Sequence, residues 1–142
     1  MKDNLVLSDN LSEAGRNEIY DAMINTVVKV AKRYASSRAM SIPQLVEKVG
    51  GYKSISRLLE GRRAFPTGVA LERLMSGADL YKDFVEEVPV KVNVEKTPPT
   101  PGWLKDDRPI RAFLELSSWM YLEATRRYLR AYPPKKKGRR NL

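Results

Sequence analysis

Between residues 19 and 35 the apolar side chains Ile19, Tyr20, Met23, Ile24, Val27, Ala31, Tyr34 and Ala35 recur three and four positions apart. Only a helix gathers such a set on one face, because each residue turns the chain by about 100°. The spacing predicts an amphipathic helix from about residue 12 to residue 39, in spite of the β-branched stretch Thr26-Val27-Val28. Such a helix is roughly 40 Å long and would run past a small domain. Asn10 and Glu13 are spaced as an N-cap and its reciprocal carboxylate. Lys29, Lys32, Arg33 and Arg38 fall mainly off the apolar stripe, toward its C-terminal half.

After this helix the punctuation becomes dense. Ser41-Ile42-Pro43-Gln44 combines an N-cap, a first-turn proline and the reciprocal amide of a capping box. The helix it opens carries Leu45, Val46 and Val49 and stops at Gly50-Gly51. A third helix is expected from about Lys53 to Glu60, with Ile55, Leu58 and Leu59 inward and Gly61 suited to the turn that ends it. Thr67 caps a fourth, bearing Val69, Leu71, Leu74 and Met75 and ending near Gly77, and Asp79 is placed to cap one more short turn with Leu80, Phe84 and Val85. These are the short helices of one small bundle.

The period then changes. Val88, Val90, Val92 and Val94 alternate with Pro89, Lys91, Asn93 and Glu95, the repeat of an extended strand that Pro89 confines to a sheet edge. Thr97-Pro98-Pro99-Thr100-Pro101-Gly102 is a semi-rigid spacer, so residues 88–102 are expected to form an extended crossing arm. Asp106 or Asp107 caps the last helix, with Pro109 in its first turn. Ile110, Phe113, Leu114, Leu116, Trp119, Met120 and Leu122 are apolar on more than one side, so its first half should be buried on several faces. Its second half turns basic around Tyr128 and Tyr132, and Pro133-Pro134 end it. The expected architecture is mostly all-α. A long basic N-terminal helix (1–40) precedes a small bundle (41–87), the arm (88–102), a C-terminal helix (103–134) and a basic tail (135–142).

Charge is distributed unevenly over this plan. The chain carries 26 Lys and Arg against 17 Asp and Glu, a formal +9. Residues 1–28 sum to −3, residues 29–63 to +7, residues 64–125 to −3 and residues 126–142 to +8. Two cationic blocks on a slightly acidic body repel themselves unless an anion neutralises them, which points to a polyanionic partner. The candidates for phosphate contact in the first block are Lys29, Lys32, Arg33, Arg38, Lys53, Arg57, Arg62 and Arg63. Those in the second are Arg126, Arg127, Arg130, Lys135, Lys136, Lys137, Arg139 and Arg140.

The composition also excludes much. With no His and no Cys there is no Ser-His-Asp or Cys-His nucleophile system, no zinc site of the usual ligands and no disulfide. Glu86-Glu87 and Asp106-Asp107 are sequence neighbours, which do not face one another on a helix. Gly61 to Gly68 lacks the Gly-Lys-Ser/Thr ending of a phosphate-binding loop. Trp103, Trp119 and Phe113 suit core or interface anchors better than a base-stacking platform. No enzymatic activity, cofactor or metal is expected. No run of signal-peptide character follows Met1-Lys2-Asp3-Asn4 and none approaches the roughly 18 apolar residues of a membrane span, so a protein inside a cell or particle is expected. A single Gln and abundant Lys, Arg and Glu follow a trend reported for hyperthermophiles.

Residues 41–75 resemble the helix-turn-helix of Cro and repressor proteins, with Gly50-Gly51 at the turn, Ile55-Ser56-Arg57 in the recognition position and Gly61-Arg62-Arg63 before Pro66. That resemblance implies a sequence-specific regulator whose Tyr52, Lys53, Ser54, Ser56 and Arg57 face the major groove. The turn is one residue short, however, and the candidate recognition helix lacks the Asn or Gln that reads adenine. Over most of the chain the plan is similar to that of the coat proteins of filamentous archaeal viruses, the rudivirus, lipothrixvirus and tristromavirus type. It shares with them a long basic first helix, a small bundle holding Gly50-Gly51 and Gly61-Arg62-Arg63-Ala64-Phe65-Pro66, and a helical C-terminal part. This likeness implies a virion subunit, paired with itself or a paralogue, that wraps linear double-stranded DNA in A-form. The valine-rich arm and the proline-rich linker depart from that plan and could serve subunit contacts instead. A ribosomal-type RNA binder rests on the basic tail alone.

Overall fold

The periodic segment is one helix, α1, over Glu13–Ser37. In the computed structural model, which describes residues 5–8, 10–92 and 108–134 and the side chains of the last segment from 112 onward, it is followed by five further helices. These are α2 (Ile42–Lys48), α3 (Lys53–Leu59), α4 (Gly68–Gly77), α5 (Tyr81–Glu87) and α6 (Arg108–Ala131). The chain is mostly helical, as its periodicities require. Among the described residues no helix is long and apolar enough to cross a membrane.

Cap chemistry sets most of the starts. Ser41 and Gln44 close a full capping box on α2, with hydrogen bonds of 3.2 Å to the Gln44 amide and 2.8 Å back to the Ser41 amide. Thr67 Oγ1 accepts from the Ala70 amide at the start of α4. Two expectations are corrected. The cap of α1 is Ser12, whose Oγ accepts from the Gly15 amide, and not Asn10. Asp79 caps nothing: it lies in the left-handed region, φ +50°, where the chain leaves α4, and Leu80 starts α5 with no side-chain cap.

α1 does not project from the body. Its residues Ile19, Tyr20, Met23, Val27, Val30, Ala31 and Ala35 are buried, so the stripe is covered to within a turn of its C-terminus. It touches α2, α3, α5, α6 and the strand that follows α5. The β-branched Thr26 is accommodated because its hydroxyl donates to the Ala22 carbonyl at 2.9 Å. Around this axis Leu45, Ile55, Leu59, Leu71, Leu74, Met75, Phe84, Leu116 and Met120 are fully buried, and each contributes roughly 1.5–3 kcal/mol by leaving water.

The alternating valines behave differently from an arm at their start. Val88 and Val90 are buried in the core, and Val90–Lys91 form β2, which pairs in parallel with β1 (Leu5–Val6), Leu5 opposite Val90. The Leu5 and Leu7 amides donate to the Pro89 and Lys91 carbonyls at 3.1 and 2.9 Å. Residues 93–102, the remainder of the expected arm, lie outside the described residues.

α6 is held in two ways. Gly68, the first residue of α4, lies so close to α6 that a Cβ there would sit 2.7 Å from the Tyr121 carbonyl oxygen, and its amide donates to Thr125 Oγ1 at 2.9 Å. On the opposite flank Glu123, with 3% of its side chain exposed, is surrounded by the guanidinium groups of Arg16, Arg126 and Arg127. Arg127 also donates to the Asn17 side chain and stacks on Tyr20, 4.2 Å from the ring centroid. α1 and α6 are thus joined through a carboxylate removed from water. Replacing Glu123 by Ala strands this positive cluster and is expected to cost about 3 kcal/mol, the lower end for a broken buried pair because Arg16 and Arg127 keep some solvent contact. Urea denaturation followed by circular dichroism checks this.

Candidate nucleic-acid interface

Two glycines determine how α3 is presented. Gly50 (φ +116°) and Gly51 (φ +72°) both occupy conformations that side-chain-bearing residues avoid, and a Cβ on Gly50 would also meet the Tyr52 ring at 2.8 Å. The chain therefore reverses between α2 and α3 within a few residues, with Tyr52 folded over the corner. Ile55 and Leu59 then point inward, leaving Lys53 and Arg57 exposed. At the far end Gly61 (φ +75°) closes the helix, its amide donating to the Leu58 carbonyl and the Arg62 amide to the Arg57 carbonyl.

The segment after Gly61 meets the end of α6. Phe65 stands edge-on to Tyr132 with centroids 6.1 Å apart, and Tyr132 lies 5.2 Å from Tyr128, one turn earlier on α6. The guanidinium of Arg63 sits 5.2 Å from the Phe65 ring. Between them is an open cleft of about 210 Å³, lined by Ser54, Arg57, Ala64, Phe65, Tyr128 and Tyr132. Residues from the two cationic blocks, some 70 positions apart in the chain, are thus neighbours here. Among the described residues no carboxylate lies within ion-pair distance of Lys53, Arg57 or Arg63, and Arg62 pairs with Glu60 at 3.2 Å.

The other candidate cations are employed within the fold. Lys29 pairs with Glu87 at 3.2 Å, and Arg33 pairs with Glu87 and, at 3.8 Å, with Asp83. The hydrogen bond between Arg33 and Glu87 raises the Arg33 pKa and holds the Glu87 carboxyl below the usual carboxylate range. Arg38 lies on the Tyr34 ring at 3.9 Å, while Lys32 is exposed with no carboxylate partner among the described residues. Arg126 and Arg127 serve Glu123, and Arg130 reaches Glu13 at 3.7 Å. Part of the charge on the basic face of α1 and at the end of α6 is thus matched from inside the molecule by α5, Glu123 and Glu13. Lys135, Lys136, Lys137, Arg139 and Arg140 lie outside the described residues, as does Trp103.

Phe65 is the cleft residue that sequence reasoning did not single out. Its only signal was its place between the arginine pair and Pro66. Phe113 and Trp119 are anchors as expected, Phe113 edge-on to Tyr81 at 4.4 Å and Trp119 beneath Arg16 at 5.7 Å. Compared with protein-family models, with curated proteins and with solved structures, the chain matches none.

Two tyrosines near this end of the molecule are chemically unusual. Burial pushes the Tyr20 phenol up to about 12, against the opposing pull of Arg127. Burial also raises Tyr121, whose hydroxyl has no hydrogen-bond partner among the described residues. A phenol that ionises less readily when folded stabilises the fold up to its unfolded value of 10.0 and loses that contribution as pH rises toward the folded one. Of the seven tyrosines, two are therefore expected to resist ionisation until the fold opens. Absorbance titration at alkaline pH should show this step, and Tyr20→Phe should reduce its amplitude and the alkaline loss of stability together.

Proposed function

We propose that this chain is a non-enzymatic structural protein that coats or packages double-stranded DNA through sequence-independent phosphate contacts, as the coat subunit of a virion. The observation that carries the reading is that Arg57 lines one cleft with Phe65, Tyr128 and Tyr132, with Arg63 against the Phe65 ring and Lys53 exposed on the same short helix, and that the described carboxylates match none of these three cations. Guanidinium and ammonium groups arranged without Asn or Gln grip phosphates and position a protein, but they carry little base information. The segment from Lys135 to Arg140 follows the end of α6 in sequence and carries five cations.

The regulator reading is the weaker one. Ser54 and Arg57, which would have to enter the major groove, line the same cleft as Tyr128 and Tyr132, so α3 does not stand free as a recognition helix. The aromatic rings beside the arginines favour a surface that receives a backbone over one that inserts.

The test is salt-dependent binding to two unrelated duplexes, read by fluorescence anisotropy. Affinity is expected to be equal for both and to fall steeply with salt. Arg57→Ala with Arg63→Ala should weaken both duplexes alike and reduce the salt slope by about 0.9 for each phosphate that is no longer neutralised. Lys29→Ala should change little, because Lys29 is already matched by Glu87. A preference of several kcal/mol for one duplex would sink the packaging reading and favour the regulator.

A further inference from the structure

The cleft between α3, the loop after Gly61 and the end of α6 holds more aromatic surface than phosphate contacts use. Phe65 and Tyr128 are half-buried, and Tyr132, just beyond the last residue of α6, is 53% exposed. The Tyr132 ring stands at 86° to Phe65, centroids 6.1 Å apart, and at 50° to Tyr128, 5.2 Å away. Neither pair is stacked face to face, so neither contact uses up the ring faces. All three rings line an open space of about 210 Å³ together with Ser54 and Arg57.

Ring faces and cations at one cleft select a ligand that brings both a π-face and a negative charge. A phosphate alone satisfies Arg57 and Arg63 but leaves the rings in water. A base inside a duplex cannot reach them, because its faces are stacked on its neighbours and only its edges open into the grooves. An unpaired base can. It carries its phosphate one sugar away, and here the rings lie beside Arg57 of the same cleft and Arg63, whose guanidinium is 5.2 Å from the Phe65 ring. The space is smaller than the roughly 300 Å³ at which drug-sized pockets begin, which suits one ring system better than a run of bases.

We infer that the cleft receives one unpaired nucleobase of the bound strand, stacked against Tyr132, while Arg57 and Arg63 hold the adjoining phosphates. The inference rests on the phosphate-binding reading for its cations and adds to it a preference for single-stranded ends and gaps over intact duplex. Stacking does not choose among bases, since each has a π-face, so this contact is as indifferent to sequence as the phosphate contacts are. What it recognises is an interruption of the duplex.

The test is fluorescence anisotropy with the full chain and three probes that share one duplex. The first is blunt, the second has a single-stranded thymidine overhang, and the third has an overhang of the same length made of abasic sites. The two overhangs carry the same phosphates and differ only in their bases. The thymidine overhang is expected to bind about 5- to 150-fold more tightly than the abasic one, the range that one stacked base commands. Tyr132→Leu, a change at an exposed position, should erase most of that difference and leave the blunt duplex bound as before. Irradiation of an overhang carrying iododeoxyuridine should cross-link it to the peptide holding Tyr128 and Tyr132 or to the one holding Phe65, which mass spectrometry identifies without any variant. Equal binding of the two overhangs, a difference that survives Tyr132→Leu, or a cross-link to another segment would overturn the base pocket and leave the phosphate reading standing. Binding of the thymidine overhang without binding of the blunt duplex would uphold the pocket and overturn the packaging of double-stranded DNA, and no binding of any probe would overturn both.

Discussion

A carboxylate almost wholly withdrawn from water has to be matched where it lies, and at Glu123 that requirement fixes the relation of the two longest helices. Its oxygens are met by two arginines of its own helix, one turn on, and by Arg16 from α1. The local arginines cannot place α6 in space, but Arg16 can. With it come the stacking of Arg127 on Tyr20 and of Arg16 near Trp119, so one buried charge sets the azimuth of both helices. On the other flank, the lack of a side chain at Gly68 lets α4 come against the Tyr121 carbonyl. Between a charge clamp and a backbone contact, α6 has little freedom to rotate. What it shows to the outside, including Tyr128 and Tyr132 near its end, is therefore decided from within.

The same economy governs the rest of the charge. A basic protein is easily read as a uniform cationic surface, but the acids of α5 and α6 are placed to neutralise particular cations. Glu87 and Asp83 answer Lys29 and Arg33, and Glu123 answers three arginines at once. The exposed pairs between α1 and α5 add little to stability, unlike the buried one at Glu123. Their effect is to silence part of the charge, concentrating what is left near α3, the loop after it and the end of α6.

Much of this was legible in the sequence because it rests on local rules. The period of α1, the capping box at Ser41, the threonine cap of α4 and the glycine that ends α3 each involve residues within four positions of one another. At the start of α1 the local rule pointed to the wrong residue, because Asn10 has a reciprocal carboxylate three positions on, Glu13, whereas Ser12, the observed cap, is followed at that spacing by Gly15. Pairings over long separations left no trace at all. The two-residue ribbon joins Leu5 to Val90, and Arg33 meets Glu87 across 54 positions, so neither the fate of the valines nor the silencing of α1's cations could be read. Glu123 was different, since arginines three and four residues later form a recognisable helical pattern. Only its burial, which depends on α1, was hidden. The cleft was half legible: its cations stood out as a block, but Phe65 was one aromatic among many until the loop met α6.

The separation between Arg16 and Glu123, 107 positions, also sets a timetable. α1 is synthesised long before the partner that completes its clamp. At about 5–20 residues per second, α1 waits some 5–20 s on the ribosome before α6 exists. During that interval α2 to α5 can cover only part of its apolar stripe, and Leu5 has no strand to join until Val90 has emerged. A growing chain of this design is a half-closed bundle with one open side. Closure is therefore ordered in time as well as in space, because the helix that seals the open side of α1 is made after α2 to α5 have already packed against the rest.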